Sequence, residues 1–208
     1  MVNVVVYVEG GGTTSELRTR CRRGFSEFFQ RAGLRGRMPR VVACGSRQDT
    51  YSDFCTALRS AAKSGKLPVL LVDSEARVKD DCTPWDHLRR SDNWSQPDGA
   101  SVDHVFLMVQ CMEAWFVADR SVLESFFGQG FNAKALPGQT SIEDISKDDV
   151  LKALYDATRH CRIKGKYDKA RHAFDLLALT DPVRVTQSCP HAERLIRGLS
   201  ALSEGQSM

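Results

Sequence analysis

Four carboxylates stand where the sequence could do chemistry. Glu9 closes the apolar run N-V-V-V-Y-V and precedes Gly10, Gly11 and Gly12. Asp73 closes L-P-V-L-L-V, with Glu75 two residues on, and Glu113 follows H-V-F-L-M-V-Q at the start of a helical pattern. Each apolar run has the composition of a strand buried on both faces, as in the parallel sheet of an α/β domain. The C-terminal ends of such strands share one edge, where open α/β folds bind their ligands. Oxygen-only donors favour a hard cation, Mg2+ or Mn2+, and no His or Cys cluster competes for a softer metal. Carboxylates gathered closely repel one another, and a cation relieves that repulsion. The expectation is that Glu9, Asp73 and Glu75 are catalytic metal ligands, with Glu113 a further ligand or a support behind them. Ions held this way polarise a phosphodiester and activate a water.

Phosphate chemistry needs positive partners. Gly10 and Gly11 let the backbone approach a ligand closely. Lys166, Lys169 and His172, in K-G-K-Y-D-K-A-R-H, are candidates for phosphate contact or proton transfer. Plainer readings stand beside these. A Gly-rich turn is often only a turn, a carboxylate there can cap the next helix, and exposed lysines usually solubilise. One or two of the four carboxylates are expected to be salt-bridged to arginines. The segment G-G-G-T-T-S has neither the G-x-G-x-x-G spacing of a dinucleotide site nor the G-K-[ST] ending of a P-loop. Asp119 lies six positions after Glu113, about 120° around a helix from it, and is read as structural.

The elements that must position these residues follow from periodicity. Leu17, Cys21, Phe25, Phe28 and Phe29 predict a helix from about Ser15 to Ala32, and Arg40 to Cys44 a short strand. Phe54, Ala57, Leu58, Ala61 and Ala62 predict a second helix ending near Gly65. Leu67 to Asp73 and His104 to Gln110 are the third and fourth strands. Between them, Ala76 to Ser101 has no sustained periodicity and reads as a long loop, of the kind that often serves as a lid or binding loop. Its Trp85 and Trp94 either stack on a base or pin the loop to the domain. A helix buries Trp115, Ala118, Val122, Leu123 and Phe126, and further helices follow Pro137. The fold class is α/β: a Rossmann-like, mostly parallel sheet of about four strands with helices on both faces. Residues 1–130 form that domain and 131–208 a helical extension packed on it.

Composition narrows the class. With 42% hydrophobic and 26% charged residues, 208 residues can bury one sizeable core. No apolar run approaches the roughly 20 residues that span a bilayer, and no basic region precedes the first apolar stretch, so a cytoplasmic protein without membrane contact is expected. Seven scattered cysteines without a C-x-x-C pair suggest reduced thiols. The net charge of +3 does not itself imply nucleic acid, but its distribution is blocky. Eight arginines lie between Arg18 and Arg40, and a second basic cluster runs from Arg159 to Arg171, with an acidic stretch between. Phosphate-binding surfaces flanking a metal centre would have this form, although solvated helix faces do too.

Glu9-Gly10 at the end of the first strand and Asp73-Ser74-Glu75 at the end of a later one resemble the Toprim domain of topoisomerases, primases and overcoming-lysogenization-defect nucleases. Glutamate stands at 75 where that pattern ends in aspartate. A closer similarity spans nearly the whole chain. V-Y-V-E-G-G-G-T, L-L-V-D-S-E, P-W-D-H-L-R, M-V-Q-C-M-E-A-W-F-V-A-D, K-G-K-Y-D-K-A-R-H-A-F and D-P-x-x-V-x-x-x-C-P-H-A resemble a bacterial Toprim-like family of unknown function. Its members are often encoded beside ATPases in phage-defence settings. The resemblance implies a Toprim-like fold and a Mg2+- or Mn2+-dependent nuclease acting on DNA or RNA as the effector of a defence module. It also implies an ATPase partner and leaves monomer and homodimer open. The alternatives are a non-catalytic partner subunit of an ATPase and a hydrolase of small phosphorylated metabolites.

Overall fold

The computed structural model describes residues 3–138 and 141–204. Strands β1 (Val4–Glu9), β2 (Arg40–Gly45), β3 (Leu67–Asp73) and β4 (Val105–Met108) form one sheet in the order β2-β1-β3-β4, every neighbouring pair parallel. This is the expected α/β, Rossmann-like arrangement. Side chains alternate between its faces with period two. Val4, Val6, Val8, Val69 and Leu71 pack on one side with Phe25, Phe28 and Trp115. Leu70 and Val72 pack on the other with Phe54, Trp85 and Leu88.

The connections explain the two layers. Helix α1 (Ser15–Phe29) leads from β1 outward to β2, and α2 (Arg47–Ser64) leads back past β1 to β3. Parallel crossovers are right-handed, so reversing direction puts α1 and α2 on opposite faces. Thr14 caps α1 and Ser46 caps α2, each accepting a backbone N–H of the first turn, and Gly65 ends α2 at a left-handed φ of 63°. The remaining helices are α3 (Pro84–Asp92), α4 (Glu113–Ala118), α5 (Arg120–Phe127), α6 (Lys147–Thr158), α7 (Lys169–Leu179), α8 (Pro182–Ser188) and α9 (Pro190–Glu204). Leu154, Phe174, Leu177 and Leu199 join the same buried cluster as β1 and α1, so the core runs unbroken past residue 130. Residues 139–140 and 205–208 of the expected extension lie outside the described residues. Among the described residues no helix is long and apolar enough to cross a membrane.

Three local expectations are corrected. The segment read as a loop from Ala76 to Ser101 contains α3, whose two buried residues, Trp85 and Leu88, are too few to show a period. Its start is written in cap chemistry instead: Thr83 and Asp86 form a capping box around Pro84. The helix expected to carry Trp115 through Phe126 is broken at Asp119. There the carboxylate caps α5 by accepting from Val122 N at 3.3 Å, and it also accepts from Asp181 N at 2.9 Å. Asp119 is thus occupied structurally. Finally, α1 ends at Phe29 and the chain continues through a wider π-helical turn, Gln30–Leu34, ended by Gly33 at φ 90°.

One close approach fixes the helix that matters most for the site. At Gly24 of α1 an added Cβ would lie 2.7 Å from the Phe174 carbonyl oxygen of α7 and 3.4 Å from Leu177 Cδ2. Gly24→Ala gains about 1 kcal/mol of helix propensity, but overpacking costs about 1 to 3 kcal/mol. The substitution is expected to lower the urea unfolding midpoint by the equivalent of about 1 kcal/mol; an unchanged or raised midpoint contradicts this packing.

Candidate metal centre

β1 and β3 are neighbours whose onward connections leave in opposite directions, which makes the gap beyond their C-terminal ends the switch point of the sheet. Glu9 is the last residue of β1 and Asp73 the last of β3, so the two carboxylates flank that gap. Alternation sends them different ways. Asp73 continues the Val69 and Leu71 side, and its Oδ1 accepts from Met112 N at 2.9 Å. Glu9 meets α2 on the opposite side, where Arg47 Nη1 donates to its Oε2 at 3.0 Å.

Glu75 is turned back toward them by an unusual backbone. It takes φ 63°, and Gln110 facing it takes φ 59°, both in the left-handed region that residues other than glycine rarely enter. The hairpin-like contact is held at both ends. Ser74 N donates to Met108 O at 2.9 Å, Glu75 N to Gln110 O at 3.1 Å, and Gln110 N to the buried Ser74 hydroxyl at 2.7 Å. His87 Nε2 donates to Ser74 O at 2.8 Å, which fixes its tautomer. Backbone strain of this kind costs about 1 to 3 kcal/mol per residue and persists where the surroundings enforce it. The result is that Glu9, Asp73 and Glu75 each offer a carboxylate oxygen within 4.8 Å of the others.

Each carboxylate also faces one cation. Lys147 Nζ, at the start of α6, reaches both oxygens of Glu75 at 2.7 and 2.6 Å. Lys169 Nζ, at the start of α7, lies 3.8 Å from Asp73 Oδ2 and 3.2 Å from Glu113 Oε1. Burial raises the Asp73 carboxyl to about 7; Lys169 opposes the shift, and Glu9 and Glu113 add to it. Burial disfavours the charge on Lys169, but Glu113 and Asp73 more than offset this and raise its pKa. Among the described residues Asp73 Oδ2 receives no hydrogen bond; Lys169 at 3.8 Å is an ion-pair contact only. The free oxygen of the largely buried Asp73, beside the carboxylates of Glu9 and Glu75, fits a cation, and the all-oxygen donor set suits Mg2+ or Mn2+.

The other expected site residues are placed as follows. Glu113 is fully buried behind Asp73, accepting from Tyr167 OH at 3.0 Å and from Lys169 Nζ at 3.3 Å, and it lies outside the group of three. Its position supports Lys169. Lys166 places its Nζ 5.2 Å from the centre of the Tyr155 ring. The expectation for His172 is corrected: it is buried among Phe126, Phe127 and Tyr167, and its Nδ1 accepts from Asp168 N at 3.0 Å. Burial lowers its pKa, so the ring is a neutral core group. Gly10 spends its N–H on Gly45 O at 3.0 Å, which removes it as a phosphate donor. Gly11, at φ 84°, has Arg18 Cα 2.9 Å from where a Cβ would stand, so its smallness serves the approach of α1.

Three residues at the site had gone unnoticed. Arg47 follows the end of β2 in C-G-S-R, on the same edge as Glu9, and strand-edge reasoning applied to β2 would have found it. Asp92, which grips Arg47, sits in the segment read as a loop. Lys147, in S-K-D-D, carries no signal beyond a helix start, because its partner is 72 residues away.

The model of a family described as Domain of unknown function (DUF4276) matches residues 8–200 of the chain. No curated protein and no solved structure matches it.

The state of Asp73 gives a pH signature. Its carboxyl titrates near 3.8 when unperturbed and near 7 in the fold, so the folded protein holds the proton more tightly. Stability from that proton is complete below about pH 4 and is lost as pH rises through about 7. In EDTA at pH 8, Asp73→Asn is therefore expected to be more stable than wild type by a few kcal/mol, at about 1.4 kcal/mol per pKa unit. The difference should shrink toward pH 5. Urea unfolding across that range checks it, and a difference independent of pH would rule out the buried, ionising Asp73.

Proposed function

The chain belongs to the family described as Domain of unknown function (DUF4276), and from its side chains we propose that it is a Mg2+- or Mn2+-dependent phosphodiester hydrolase acting on nucleic acid. One observation carries the reading: Glu9, Asp73 and Glu75 bring carboxylate oxygens within 4.8 Å of one another at the switch point of the sheet. When bound there, a divalent cation supplies Lewis acidity to a phosphoryl oxygen and lowers the pKa of a bound water. Glu9, Asp73 and Glu75 would hold it.

The protein's own residues supply the rest. Lys147 and Lys169 stand on the first turns of α6 and α7, so two ammonium groups border the carboxylates from the side opposite Arg47. Once the carboxylates are engaged, these cations can compensate the charge on a phosphodiester. Glu113 and Tyr167 keep Lys169 in place. A polymer is favoured over a small metabolite by the segment that leads into α7: Arg159, Arg162, Lys164 and Lys166 are exposed in the ten residues before Asp168 and Lys169. Exposed cations spaced this way follow a phosphate backbone and read no bases, which leaves DNA and RNA equally suitable. Service as an effector beside an ATPase partner belongs to the same proposal.

Incubation of DNA and RNA with the protein and Mg2+ or Mn2+ should give cleavage that EDTA abolishes. Glu9→Gln and Asp73→Asn should each lower the rate by about 100-fold or more while circular dichroism stays unchanged. Cleavage at the wild-type rate in both variants would sink the proposal.

A further inference from the structure

Among the described residues, Arg47 combines a bidentate carboxylate partner with an aromatic face. Its Nε and Nη2 donate to the two oxygens of Asp92 at 2.6 and 2.8 Å, a bidentate pair that sets the plane of the guanidinium. One face lies over Trp94, with Cζ 5.0 Å from the ring centre. Trp94 is itself stacked on Tyr51, centroids 4.4 Å apart and planes 5° from parallel, and its Nε1 donates to Gln48 at 3.3 Å. Helix α3, the αL turn at Asn93 and the first two turns of α2 thus converge on one side chain.

That mounting leaves only Nη1 facing the carboxylates. One of its hydrogens goes to the backbone carbonyl of Asp73. The other goes to Glu9 Oε2 at 3.0 Å, on a carboxylate that a cation at the centre would also engage. Where a cation draws Glu9 away, this N–H keeps its direction, because Asp92 and Trp94 hold the plane, and loses its acceptor beside the three carboxylates.

We infer that Arg47 is a phosphate-binding residue of the site, its Nη1 exchanging Glu9 for a non-bridging oxygen of a phosphodiester when a divalent cation binds. The inference rests on the metal-dependent reading above and adds a consequence to it. Cation and phosphodiester bind cooperatively, since each removes the partner with which the other competes, and the coupling is reciprocal. Asp92 and Trp94 are positioning residues for Arg47.

The test titrates Mn2+ by calorimetry with and without dimethyl phosphate, the simplest phosphodiester anion, in the intact protein. For wild type, dimethyl phosphate should raise Mn2+ affinity about fivefold or more, the lower end of typical coupling. Arg47→Leu should bind Mn2+ alone at least as tightly as wild type and gain clearly less than wild type from dimethyl phosphate. If Arg47→Leu fails to fold, as judged by circular dichroism, Asp92→Asn and Trp94→Leu keep the guanidinium, loosen its mounting and should reduce the gain. An undiminished gain in the folded variants overturns the inference, as does wild type that binds Mn2+ with no gain. Wild type that binds no Mn2+ in either buffer overturns the metal reading as well.

Discussion

Asp73 is a carboxylate at the end of a central strand, only 3% exposed, in a place where charge is costly. Much of the structure around the sheet edge answers that cost. Met112 N caps one oxygen, Lys169 approaches the other, and Glu113, itself fully buried, accepts from both Lys169 and Tyr167. Those contacts tie the beginning of α7 to the end of β3, and the close approach of α7 to α1 at Gly24 fixes the same helix from its other side. The helices after residue 130 are therefore part of the site as well as part of the core.

The charge balance is local and leaves carboxylates in excess, with five (Glu9, Asp73, Glu75, Asp92 and Glu113) to three cations. Arg47 pairs with Glu9, Lys147 with Glu75, and Lys169 is shared by Asp73 and Glu113. Burial favours a protonated Asp73, and a divalent cation at the centre would reverse that preference by stabilising all three carboxylates at once. The same event would free cations whose positions are fixed by other contacts: a bidentate carboxylate and a tryptophan face for Arg47, a buried glutamate for Lys169. A site that binds a cation and then a phosphate anion would need this order of preference, and the ion pairs present here are compatible with it.

The parts legible in the sequence were those written in local patterns. Apolar runs gave β1 and β3 with their terminal carboxylates, because a strand buried on both faces leaves no other reading, and Gly65 marked the end of α2 through its left-handed backbone. What failed rested either on weak local signals or on contacts between distant residues. His172 lies in a lysine-rich stretch that suggests a ligand site, yet Ala173, Leu176 and Leu177 share its buried side, and this spacing was available to show it facing the core. Helix α3 announced itself by Thr83, Pro84 and Asp86, signals weaker than a periodic apolar face. Arg47 and Glu9 are 38 residues apart, and no spacing rule joins them; only the order of strands brings β1 and the end of β2 side by side.

The account stands on the claim that Glu9, Asp73 and Glu75 are one cation site. Anomalous scattering from crystals grown with Mn2+ tests it most directly. A peak should lie about 2.1 to 2.3 Å from an oxygen of each of the three carboxylates, close to Mg2+-like distances, with Arg47 Nη1 no longer bonded to Glu9. Peaks confined to other acidic groups, with the Arg47–Glu9 and Lys147–Glu75 pairs intact at saturating Mn2+, would contradict it.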